Sequence, residues 1–122
     1  MISHPTAAEL SEAIATFEAT PGQPGDPRQV FLARVTDNAR ATLAREADHG
    51  ARLEAEALAR LRTLLGQDGE FSRLNTQLCQ ALRDGTLSPR DPAVLAHLRA
   101  TAIGQIAIDQ PSYGGLAALE AG

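Results

Sequence analysis

Apolar residues recur every three or four positions along most of this chain, in runs punctuated by proline and glycine, which is the pattern of amphipathic helices. Leu10, Ile14 and Phe17 share a face of a first helix. Thr6, with Glu9 three residues on, gives its start the spacing of a capping box, in which side chain and backbone satisfy each other's free amides. The stretch TPGQPGDP, residues 20–27, ends that helix, because prolines and glycines at this density cannot continue one. Asp26 as N-cap and Pro27 in the first turn open a second helix, predicted to run to Gly50. Phe31, Leu32, Val35, Ala39 and Leu43 form its broad apolar face, with Arg34, Asn38, Thr42 and Arg45 along the edge. A third helix, ending at Gly66, turns Leu53, Ala57, Leu58, Leu61, Leu64 and Leu65 inward and Arg52, Glu56, Arg60 and Arg62 outward. A fourth carries Phe71, Leu74, Leu78 and Leu82 and ends at Gly85.

Asp91-Pro92 repeats the cap-plus-proline start, and the last long helix is predicted to end near Asp109, since Pro111 biases Gln110 away from helical backbone. Leu95, Leu98, Ala102 and Ile106 supply an inward stripe, and Ala100, Gly104 and Ile108 leave the other sides of the helix apolar too. A helix that is apolar all round is covered all round. Either this helix is the central one of the fold, or Ala100, Gly104 and Ile108 form an interface with another chain. The whole pattern predicts an all-α antiparallel helical bundle of about five helices, one domain over residues 1–122. Residues 20–27 are a linker, and 111–122 form a weakly ordered tail in which Leu116 and Leu119 have the spacing to dock one more turn.

Composition narrows the picture. Hydrophobic residues make up 43% of the 122 positions and aromatics only 3%, so the core is aliphatic, which favours helices over a β-sandwich. All 11 basic residues are arginine, as coding bias in a GC-rich genome would produce, and the net charge is -4. That balance argues against a nucleic-acid surface, which needs a dense basic face. No window has the apolar length of a membrane span, and the N-terminus, MISHPTAAELSEA, lacks the pattern of a signal peptide. With a single cysteine, Cys79, the expected compartment is the cytoplasm.

Candidate chemistry is sparse. The Pro/Gly linker lacks the Gly-Lys-Ser/Thr ending of a phosphate-binding loop. His4, His49 and His97 have no second histidine or cysteine at helical ligand spacing, so no metal or other cofactor is expected. His49, before Gly50, reads as a helix C-terminal cation, and Cys79 as a small core residue. Arg34, Asn38 and Arg45 are a weak candidate for an anion site, two guanidiniums flanking an amide, with a solvated helix edge as the alternative. Arg99 falls within the apolar stripe and needs an acid or carbonyls to bond. Asp109 opposes the helix dipole in the last turn, a position explained if it accepts from the Ser112 or Tyr113 amide. Arg99, Asp109 and Tyr113 are thus a candidate structural lock. No catalytic residues are identified.

Through PTAAELSEAIATF, FLARVTDNARATLARE and AHLRATAIGQIAIDQPSY the chain resembles a bacterial family of small proteins of unknown function, encoded beside aminoglycoside-phosphotransferase-like kinases and acyl-CoA dehydrogenases. The small subunit of the levulinate-pathway hydroxyacyl-CoA kinase is similar to this family. The resemblance implies a non-catalytic accessory subunit of a phosphotransferase-type kinase acting on hydroxyacyl-CoA, with the kinase-like subunit as partner and no enzyme activity of its own. In that setting Arg34, Asn38 and Arg45 would meet CoA phosphates. The competing expectation is a stand-alone homo-oligomeric helical protein, such as a homodimer, that binds a ligand or regulates by contact. An enzyme in its own right would need a pocket with convergent ionisable groups.

Overall fold

The first helix, α1 (Ala7–Ala19), begins where its sequence says it should. Thr6 has extended backbone, its hydroxyl accepts from the Glu9 amide at 3.2 Å, and the Glu9 carboxylate accepts from the Thr6 amide at 2.6 Å. The computed structural model describes residues 5–20 and 22–122, so His4 lies outside the described residues. Asp26 then caps α2, accepting from the Arg28 amide at 2.9 Å, while Gly25 supplies the left-handed turn ahead of it.

α2 (Pro27–Leu65) is one helix of 39 residues, where a break at Gly50 was expected. Glycine in a helix interior costs about 1 kcal/mol, and the flanking turns are mostly alanine, leucine, arginine and glutamate without proline, so the cost does not stop the helix. His49 is therefore an exposed mid-helix residue and not a helix C-terminus. α2 ends at Gly66, which has positive φ. α3 (Phe71–Asp84) follows and ends at left-handed Gly85. α4 (Pro92–Asp109) starts as predicted, the Asp91 carboxylate accepting from the Ala93 and Val94 amides, and α5 (Leu116–Ala121) is the short turn allowed by Leu116 and Leu119. The fold is all-α, with five helices and no strand among the described residues. The count of five matches the expectation through a different division of the chain.

Two compact units are distinguished, Met1–Gly50 and Ala51–Gly122. In the first, Arg40 bridges Glu18 of α1 and Asp37 of its own helix. In the second, Leu61 of α2 packs with Leu74 and Leu78 of α3, and Leu58, Leu65, Phe71, Leu82 and Leu87 close around them. All the fully buried hydrophobic side chains among the described residues (Ala57, Leu61, Leu74, Leu78, Val94 and Ile108) belong to this second unit.

On α2 most of the expected inward residues are sheltered, Leu32, Ala39 and Leu43 and then Leu53, Ala57, Leu58, Leu61, Leu64 and Leu65, but Phe31 and Val35 are not, and on α4 the inward face is rotated from the one expected. Along α2 the sheltered positions include Gln29, Leu32, Thr36, Ala39 and Leu43, then Leu53, Ala57, Arg60 and Leu64, alternating three and four apart. That is the 3.5-residue repeat of a helix holding one seam towards its neighbours. Phe31 is left 64% exposed and Val35 48%, while Thr36 is buried with its hydroxyl bonded to the Leu32 carbonyl. On α4 the same spacing runs through Val94, His97, Thr101, Gly104 and Ile108, and the larger Leu95 and Leu98 face outward. Small residues let helices approach closely. A Cβ on Gly104 would stand 3.1 Å from Leu53 Cδ2.

Candidate functional site

Leu53 against Gly104, and Arg60 against His97 and Thr101, make α2 and α4 antiparallel neighbours in the second unit. Between them lies an open groove of about 390 Å³, lined by Ala59, Arg60, Thr63, Leu64, Ala93, Ala96 and His97. Its polar end is Arg60 and His97. Arg60 Nε donates to His97 Nδ1 at 3.4 Å and Arg60 Nη2 to Thr101 Oγ1 at 3.4 Å. Because Nδ1 is the acceptor, the neutral ring carries its proton on Nε2. The apolar end is Leu64 and Ala93.

Burial of His97, and after it the adjacent Arg60 charge, push the imidazole pKa below its usual 6.5. The folded state holds a neutral ring at a pH where the unfolded chain already takes up a proton. The resulting stability is fully present above about 6.5 and is lost as pH falls from there towards the folded pKa. Glu9 and Asp84, both lowered by hydrogen bonds, to Thr6 and to Thr86, withdraw their contributions only below their usual 4.5 and 3.8. Urea midpoints should therefore begin to fall in the histidine range, before the carboxylate range is reached. In His97→Gln that upper leg of the curve should be flat, and an unchanged slope would show that His97 does not carry it.

A second cleft, of about 730 Å³, lies in the first unit between α1 and the start of α2, lined by Glu9, Glu12, Phe17, Asp26, Arg28 and Leu32 among others. Glu9 and Asp26 are already committed to helix caps there.

The residues singled out in the sequence are dispersed. Arg34 and Asn38 are exposed, and Arg45 is partly sheltered, donating to Thr42 Oγ1 at 3.1 Å. Eleven residues of helix separate Arg34 from Arg45 by roughly 16 Å along the axis, so they address two separate groups and not one phosphate. Gly104 and Ile108 are buried within the chain and Ala100 is partly so. The outward apolar residues of α4 are instead Leu95 and Leu98, at 51% and 40% exposure. Arg99 bonds a carbonyl as it requires, donating through Nε to Leu119 O at 2.8 Å and so tying α4 to α5. Asp109 does not take the Ser112 or Tyr113 amide. It accepts from Gln105 Nε2 at 2.7 Å, because the turn closes on its own backbone, the Tyr113 amide bonding Gln110 O at 2.9 Å. Cys79 is half-buried.

Arg60 was placed on the outward face by composition, being a charged residue among leucines, and the 3.5-residue spacing is the signal that finds it. Among the described residues, no group of three His, Cys, Asp or Glu gathers as metal ligands would, and no helix is long and apolar enough to cross a membrane.

Fold and site together define an all-α protein in which an arginine-histidine pair lies at the end of an apolar groove. The chain belongs to the family described as Domain of unknown function (DUF6285), which matches residues 23–113 and so takes in α2, α3 and α4 but not α1. No match is found among curated proteins or among solved structures.

Proposed function

We propose that this chain is a non-catalytic accessory subunit of a phosphotransferase-type kinase acting on hydroxyacyl-CoA, and that it holds its partner through the first unit. The observation that carries the reading is the mismatch between apolar surface and core there. Val30, Phe31 and Val35 are 50%, 64% and 48% exposed on α2, in a unit to which, among the described residues, none of the fully buried hydrophobic side chains belongs. An apolar strip with a large aromatic at its centre, next to an exposed arginine, Arg34, has the composition of a binding anchor. Kinase family and substrate class come from the sequence resemblance alone. In this reading the partner brings the phosphate chemistry and this chain supplies docking surface.

Mixed with a kinase-like protein of the class the resemblance implies, this chain should co-elute and raise ATP turnover on a 4-hydroxyacyl-CoA. Phe31→Glu should weaken the complex at least about tenfold, in the range of an interface anchor, with the helical signal retained because the position is exposed. A homodimer of defined mass, with no effect on the kinase, would replace this reading with the stand-alone homo-oligomer.

A further inference from the structure

We infer that the α2/α4 groove of the second unit binds a short amphiphilic carboxylate, its head on Arg60 and its unbranched apolar tail running towards Leu64 and Ala93. This does not rest on the kinase-subunit reading.

The guanidinium is the first ground. Arg60 is partly buried and has five N–H donors, yet its partners are two neutral acceptors, each at 3.4 Å, the long limit of a hydrogen bond. Other arginines nearby are satisfied by acids, Arg52 by Glu56 and Arg62 by Asp68, both at 2.8 Å. Among the described residues Arg60 has no carboxylate within ion-pair distance. Its remaining N–H donors are open to the groove and solvent, and a planar carboxylate matches their fork. His97, only 2% exposed, is held neutral beside it and adds no second positive charge.

The shape of the groove is the second ground. Ala59, Ala93 and Ala96 line it with methyl groups where larger side chains would fill it, and about 390 Å³ falls within the range of small-molecule sites. Because the helices are antiparallel, the charged pair lies at one end and Leu64 with Ala93 at the other, one helical turn, about 5.4 Å, away. A tail of roughly four to six carbons spans that turn. The site thus selects for a single negative head and a slim apolar body.

Titration of the full chain with hexanoate, 1-hexanol and inorganic phosphate, followed by amide and imidazole NMR signals, tests the inference. Hexanoate should move Ala93, Ala96 and His97 together and bind at least about tenfold more tightly than hexanol or phosphate, as a charge-assisted bidentate contact requires. Arg60→Gln should remove that preference, and Arg60→Lys should restore part of it. Ala96→Leu, at an exposed position that does not disturb the core, should block hexanoate by filling the groove. Equal binding of hexanol, equal binding of phosphate, no response at His97 and Ala96, or full affinity in folded Ala96→Leu would each overturn it.

Discussion

Leu61→Ala should destabilise the Ala51–Gly122 unit by about 3 kcal/mol, within the 2–5 kcal/mol that large-to-small changes cost in a closed core. Leu61 is fully buried and sits at the centre of the cluster with Leu74 and Leu78. Its neighbours come from α2, α3 and the segment after α3, so they cannot collapse into the space without moving a backbone. Both the lost transfer energy and most of the cavity term should then appear. Leu95→Ala is the matched control. Hydrophobicity alone places Leu95 in the inward stripe of α4, yet it is 51% exposed, and its truncation should cost under about 1 kcal/mol. Urea denaturation followed by circular dichroism measures both. Equal losses would mean that α4 packs through Leu95 and that the rotated seam is wrong.

The contrast between those leucines marks where the sequence was legible. Local signals were enough for helix starts. Thr6 with Glu9, Asp26 with Pro27, and Asp91 with Pro92 all cap as their spacing says, because a cap depends on residues a few positions away. Gly66 and Gly85 end helices for the same local reason. Gly50 does not, since whether a glycine breaks a helix depends on how stable the helix is on either side of it, and residues 51–65 are rich in alanine, leucine and arginine.

Helix faces were less legible. Size and hydrophobicity point to Phe31, Val35, Leu95 and Leu98 as inward, whereas the sheltered seams also run through Thr36, Arg60, His97, Thr101 and Gly104. Close helix approach selects small or locally satisfied residues, and these carry a weak hydrophobic signal. The Arg60–His97 pair was hidden for that reason, and also because its members lie 37 positions apart in the chain.

Gly104→Ile should destabilise the isolated chain by about 2 kcal/mol, the usual range for overpacking, even though isoleucine is the better helix former. The first added carbon already meets Leu53 Cδ2 at 3.1 Å, tight but on a methyl that can yield by a few tenths of an ångström. Gly104→Ala should therefore be close to neutral, the gain of roughly 1 kcal/mol in helix propensity offsetting the crowding. The remaining carbons of isoleucine have no such outlet, because Gly104 is buried and Ile108, one turn on, is fully buried too. If Leu53 is the obstacle, Leu53→Ala in the Gly104→Ile background should restore part of the loss, giving a double-mutant interaction energy of at least about 1 kcal/mol. A surface reserved for a partner would behave otherwise. Gly104→Ile would then leave the melting temperature of the isolated chain unchanged and weaken only a complex, and Leu53→Ala would simply add its own cost.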